Sequence, residues 1–161
     1  MNTWNDAPIT AKMPWKGHTE DIPLYLDYFQ GSMFEAVEKI AKEYPNQVAF
    51  DFMGRPTTYR ALIENIEKCA KSLRTIGVRE GDKVTIAMPN CPQALYMLYA
   101  VNLIGAIANM IHPLSAEKEI EHYLNFSESV TAITLDQFYG KFEKIRKNTK
   151  VVNIIIASIK D

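Results

Sequence analysis

The sequence predicts an α/β protein, a three-layer sandwich built on a mainly parallel sheet. From Val84 onward the apolar runs are short and continuous: VTIAM at 84–88, AIANMI at 106–111, VTAITL at 130–135 and VVNIIIA at 151–157. Such runs belong to strands buried on both faces rather than one. Helical stretches of roughly ten residues separate them, the length a crossover between parallel strands needs. The 161 residues are 47% hydrophobic and 23% charged, an ordinary globular composition with enough chain for one core.

Residues 1–31 lack periodicity and are rich in aromatics and prolines, which predicts an extended arm; residues 32–161 form the α/β body. Ser32-Met33-Phe34-Glu35 reads as a capping box, with Phe34, Val37, Ile40 and Ala41 at helical spacing until Tyr44-Pro45-Asn46 stops the helix. QVAFDFM at 47–53 alternates as a strand, Gly54-Arg55-Pro56 turns it, and Thr57-Thr58-Tyr59 pairs back or leads on. Thr58 suits an N-cap for a helix over 59–76, whose apolar face holds Leu62, Ile63, Ile66, Cys69, Ala70 and Leu73 and which Gly77 ends. After the strand at 84–88 come a helix to Asn102 or Leu103, a strand at 106–111 and a helix over 117–125. A strand at 130–135, a charged amphipathic helix over 137–147 and a last strand at 151–157 complete the order. That last strand has no covering helix after it, so the sequence predicts a chain continuing past Asp161 and, failing that, self-association through the exposed edge.

Charge and motifs exclude several functions. A net charge of −1 offers no basic excess for nucleic acid. Cys69 and Cys91 are the only cysteines, too few for a disulfide framework, and the reducing cytoplasm fits that usage. The first thirty residues do not read as a secretory signal. The one membrane candidate, LYMLYAVNLIGAIANMI at 95–111, is interrupted by Asn102, Gly105 and Asn109, and a helix followed by a buried strand explains it better. The seven glycines are isolated, leaving no phosphate-cradling loop. His18, His112 and His122 join no carboxylates in a metal pattern, so no metal ligand is assigned.

Ligand sites in open parallel sheets lie beyond the carboxyl ends of the strands, which directs attention to 89–92, 112–116, 136–140 and 158–161. Cys91 at the start of a helix, with His112 at the end of the next strand, has the ingredients of an activated thiol. The competing account makes Asn90 the helix cap, Pro92 a first-turn residue and Cys91 small apolar filler, and it needs no oxyanion device that the sequence lacks. His112 precedes Pro113 and is held extended, either lining a ligand channel or finishing a strand. Lys141, Lys144, Arg146, Lys147 and Lys150 make a basic face that is either solvated or turned to an anionic ligand. Tyr96, Tyr99 and Tyr123 read as core residues with polar tips.

Four stretches together resemble the start of the adenylate-forming superfamily, in particular an AMP-forming acyl-CoA ligase of the fatty-acid type. They are Phe34-Glu35-Ala36-Val37 with Tyr44-Pro45 and Ala49-Phe50; Thr58-Tyr59-Arg60-Ala61-Leu62, Leu73 and Gly77 to Val84; Ala87-Met88-Pro89-Asn90 closing on Ile104-Gly105-Ala106; and His112-Pro113-Leu114 with Glu119-Ile120. The resemblance implies the first subdomain of the large N-terminal domain of an adenylate-forming enzyme. It implies that a carboxylic acid attacks ATP, with magnesium, to give acyl-AMP, and that CoA then takes the acyl group. The phosphate loop, the adenine and ribose segments and the mobile C-terminal domain would lie downstream, so no catalytic residue is expected here and the chain alone is expected to be inactive. By the same resemblance, His112, Pro113, Leu114 and Ser115, then Gly140, Lys141 and Lys144, stand where relatives approach the CoA nucleotide. Cys91 has no role in that chemistry. The alternatives are a stand-alone flavodoxin-like binding or interaction module without activity and, within the superfamily, an enzyme adenylating an aryl or amino acid.

Overall fold

The structure is a computed structural model and describes residues 26–160. The arm expected over 1–31 therefore lies almost wholly outside the described residues. Residues 26–30 belong to a unit that ends at Gln30, and the second unit, Gly31–Asp161, carries everything that follows.

The chain enters this unit through α1 (Met33–Glu43). Ser32 Oγ accepts from the Glu35 N–H at 3.1 Å, and Glu35 Oε2 accepts from the Ser32 N–H at 2.6 Å, the reciprocal capping the sequence predicts. The Ser32 amide, then its hydroxyl, hold the Glu35 carboxyl below its usual range. β1 (Val48–Phe52) and β2 (Arg55–Thr58) follow as an antiparallel hairpin, so residues 57–58 pair back. Its two-residue turn, Met53-Gly54, has positive φ at both positions, 53° and 78°, as a type I′ turn requires. Arg55 and Pro56 accordingly sit in the second strand rather than the turn. Thr58 then caps α2 (Tyr59–Thr75), its Oγ1 accepting from the Ala61 N–H at 3.3 Å.

Four strands, β3 (Lys83–Ala87), β4 (Ile107–Met110), β5 (Thr131–Leu135) and β6 (Asn153–Ala157), form an all-parallel sheet in the order β4-β3-β5-β6. Between them run α3 (Pro92–Leu103), α4 (Glu117–Ser127) and α5 (Tyr139–Ile145), the last flanked by single 3₁₀ turns. The expected membrane candidate thus divides into α3, the turn at Gly105 and β4. Among the described residues no helix is long and apolar enough to cross a membrane.

The β3-to-β4 step runs one way along the sheet and the β4-to-β5 step doubles back across β3. With right-handed crossovers, α3 and α4 must then cover opposite faces, and the core divides accordingly. Val84, Ile86, Ile133 and Leu135 pack with Leu62, Ile66, Leu73, Ala100 and Val101 of α2 and α3. Ala87 and Ala132 pack with Ile120, Leu124, Phe142 and Ile145 of α4 and α5. Every residue of β5 and four of the five in β3 are buried.

The second face also holds a polar cluster. Asn109 Nδ2 donates to Thr85 Oγ1 at 2.9 Å and to Ser127 Oγ at 3.1 Å, while Ser129 Oγ bonds Thr85 Oγ1 and Ser127 Oγ at 2.7 and 2.8 Å. It ties β3, β4 and the end of α4 in one register, because a slip of one residue would point Thr85 and Asn109 to the other face. At the opposite end of the sheet from the strands' carboxyl ends, α2, α3 and α4 each finish the same way. Val78, Ala106 and Ser129 donate their N–H to Leu73, Val101 and Leu124 at 3.0 Å, the six-to-one closure of a Schellman motif. The left-handed positions are Gly77, Gly105 and Glu128. A Cβ on Gly105 would meet Glu80 Cγ at 2.9 Å, so glycine is needed there for space as well as φ.

Further details differ from expectation. Tyr96 and Tyr99 flank the core, whereas Tyr123 is 39% exposed and lies beside His122. The α2 helix ends at Thr75 with Ile76 as its C-cap, one residue early.

Met53 offers a direct test of the hairpin turn. Its side chain is 84% exposed and loses no packing on replacement, while a left-handed φ costs an ordinary residue about 1–2 kcal/mol and asparagine less. Met53→Asn is expected to raise stability by about 0.5–1 kcal/mol, read as a higher urea midpoint at unchanged slope. An unchanged or lower midpoint would show that the turn is not held in this conformation.

Candidate functional site

The reversal of strand order between β3 and β5 creates a switch point, and the crevice outside the carboxyl ends of those strands is where such sheets take ligands. A cavity of about 640 Å³ lies there, lined by residues 88–90 after β3, 110–114 at the end of β4, and Gln137 and Phe138 after β5. Its walls are methionine, proline, isoleucine, leucine and phenylalanine with the amides of Asn90 and Gln137. His112 is the only titratable residue among them.

His112 is exposed and Pro113 buried. Nδ1 of His112 accepts from the Leu114 N–H at 3.2 Å, and its carbonyl accepts from the Ser115 N–H at 3.2 Å. The Leu114 side chain is 66% exposed. Ala116 is the N-cap of α4 and its N–H donates to Glu119 Oε2 at 3.0 Å. Lys141 reaches across from α5: its Nζ donates to the Ser115 carbonyl at 2.8 Å and the Leu114 carbonyl at 3.3 Å, and lies 5.9 Å from the centre of the Phe138 ring. Lys144 pairs with Glu117 at 2.8 Å.

Of the expected CoA-side residues, the structure therefore places His112, Pro113 and Leu114 on the cavity wall. Lys141 bonds the Leu114 and Ser115 carbonyls of the same loop, and Lys144 is paired with Glu117 on α4. Gly140 is exposed with open space around its Cα. Strand polarity directed attention to the loop that holds Gln137 and Phe138 without naming either as a wall residue, and it missed Met88. The spacing of Phe138 and Lys141, one helical turn apart, was the available signal.

Besides Lys141 and Lys144, Arg146 and Lys150 of the basic face also make intramolecular pairs. Arg146 donates to the Val152 carbonyl and lies 3.9 Å from Glu143. Lys150 pairs with Glu128, and its hydrogen bond and charge hold that carboxyl below the usual range. A hydrogen bond to Glu143 pushes the Tyr139 hydroxyl up. Among the described residues, no three of His, Cys, Asp and Glu are grouped so as to hold a metal ion.

Cys91, and not Asn90, is the N-cap of α3, with φ −142°, ψ 162° and no side-chain cap bond. Pro92 at the first helical position forces the residue before it out of the helical region, which puts the boundary at Cys91. Asn90 is left exposed on the cavity wall. Cys91 is 6% exposed and borders an adjoining apolar groove of about 290 Å³ with Phe50, Phe52, Leu95 and Leu98, which shares Asn90 and Met110 with the cavity and does not include His112 in its lining. Cys91 and His112 thus line two adjoining pockets rather than the same one. Burial pushes the other thiol, Cys69, up.

Cys91→Ser is expected to hold stability within about 1 kcal/mol, since a serine at an N-cap recovers a bond the thiol does not make. Guanidinium unfolding checks this. Alkylation of native Cys91 as fast as a free thiol in a Cys69→Ala background would overturn the packing role, while a loss of several kcal/mol would show that serine does not recover the cap bond.

A family model described as AMP-binding enzyme matches residues 37–160. The long-chain-fatty-acid–CoA ligase of Bacillus subtilis is 30% identical over 154 residues, which is 95% of this chain and 28% of that protein. The long-chain-fatty-acid–CoA ligase of Salmonella typhimurium is 33% identical over 144 residues, 88% of this chain and 26% of that protein. Among solved structures, a long-chain-fatty-acid-CoA ligase from Archaeoglobus fulgidus matches with a TM-score of 0.77 over 84% of this chain and 30% of that one, at 23% identity. The chain spans less than a third of the length of these curated relatives.

Proposed function

We propose that this chain, which belongs to the AMP-binding enzyme family, is the opening part of an acyl-CoA ligase that activates a fatty acid with ATP and passes it to CoA. The observation that carries the reading is the identity to ligases named for long-chain fatty acids along nearly the whole chain. The four-stranded parallel sheet and its switch-point cavity are compatible with it.

The chain's own residues do not fit magnesium or a triphosphate. Among the described residues no three of His, Cys, Asp and Glu are grouped to hold a metal ion, none of the cavity's wall residues is acidic, and no glycine-rich loop precedes a helix. That chemistry would be supplied by parts of the parent that this chain does not contain, and the chain alone is inactive. CoA fits in part. The uncharged cavity wall suits its adenine base or its amide-bearing arm, with His112, Pro113 and Leu114 in contact. Its phosphates would meet Lys141 and Lys144 only at the cost of bonds these already make.

The purified chain is expected to release no pyrophosphate from ATP with a fatty acid, and a complete ligase carrying it is expected to do so and to form the acyl-CoA. Turnover by the isolated chain, or a complete protein that adenylates only an aryl or amino acid, would overturn the reading.

A second reading concerns the edge of the sheet. Among the described residues β6 is paired on one side only, by β5, and Ile156 and Val152 beside it are 48% and 64% exposed. Such an edge invites a second strand. The isolated chain is expected to self-associate with rising concentration in sedimentation, and Ile156→Lys to abolish this; a strictly monomeric chain would remove the reading.

A further inference from the structure

We infer that Lys141 is a positioning residue: its ammonium holds the loop His112–Ala116 as a fixed wall of the switch-point cavity and does not itself bind the ligand's 3′-phosphate. This deepens the CoA reading above and rests on it only for the kinetic part of its test.

The geometry carries the assignment. Lys141 is half-buried, and two of its three N–H bonds go to adjacent carbonyls, Ser115 at 2.8 Å and Leu114 at 3.3 Å. Nearby, the face of Phe138 attracts the same cation. Those carbonyls point out of a loop with no ladder partner, so without the ammonium they would turn to water. Among the described residues the loop is closed elsewhere by local bonds: Leu114 N–H to His112 Nδ1, Ser115 N–H to the His112 carbonyl and Ala116 N–H to Glu119. Lys141 is the tie that joins the loop to α5. Lys144 makes a parallel but weaker tie, an exposed pair with Glu117 at the first residue of α4. Moving Lys141 onto a phosphate would release the very wall that lines the cavity.

The test uses Lys141→Met, which keeps the stem and removes the donors, and Lys141→Arg, which keeps charge and donors. In the chain itself, amide hydrogen exchange at Leu114, Ser115 and Ala116 is expected to rise about tenfold or more in Lys141→Met. In Lys141→Arg it should stay near the parent rate, with the β3 and β5 amides unchanged in both. Equal loop exchange in all three proteins would overturn the inference. In a complete ligase, Lys141→Met is expected to raise KM for CoA several-fold with little change in kcat, and to do so equally for dephospho-CoA, which lacks the 3′-phosphate. A defect that disappears with dephospho-CoA would make Lys141 a direct phosphate contact and also overturn it. Faster loop exchange with no change in KM would uphold the positioning role and instead remove CoA from this cavity.

Discussion

The structure depends on the burial of β3 and β5 from both sides. A strand with no solvated face can be satisfied only by helices above and below it. Right-handed connections put α3 on one face and α4 on the other only if the chain doubles back across β3. The doubling back separates the loops after β3 and β5, and the space between them is the cavity. Core and site are therefore one solution: the hydrophobic demand of VTIAM and VTAITL fixes where a ligand can enter.

A buried polar cluster restrains what burial leaves free. Apolar contacts are indifferent to a shift of two residues along a strand, since the same face stays inward. The bonds among Thr85, Asn109, Ser127 and Ser129 are not indifferent, because each group would be left unpaired in a closed layer. They set β4 against β3 and so place the ends of both strands, from which residues 88–90 and 110–114 of the cavity wall extend.

Much of this was legible in the sequence. The continuous apolar runs gave the parallel sheet, Ser32 and Glu35 gave the first helix, and Gly77 marked a helix end, because each is a local demand answered by nearby residues. The loops around the cavity could be named from strand polarity alone. The occupants of those loops were harder to assign. Asn90 looked like the better cap by side-chain chemistry, yet the steric effect of Pro92 on the residue before it decided for Cys91. Lys141 and Lys144 looked available for an anion because their partners, the Leu114 and Ser115 carbonyls and Glu117, are 26 or 27 positions away and meet them only through tertiary packing. Tyr123 followed the helical period and still faces outward, since α4 buries a narrow stripe of Ile120 and Leu124.

The three matching helix closures give the molecule two unlike rims. Where α2, α3 and α4 hand over to β3, β4 and β5, each reversal is stitched by a six-to-one bond around one left-handed residue, with no slack to lengthen or shorten. Across the sheet, the segments leaving the strands have no such stitching and end in caps lacking a side-chain acceptor at Cys91 and Ala116. Variation in length and composition can therefore accumulate at one rim while the other keeps the strands in place. A lineage built on this unit can diversify what it recognises by rewriting the open rim, with the stitched rim serving as the inherited frame.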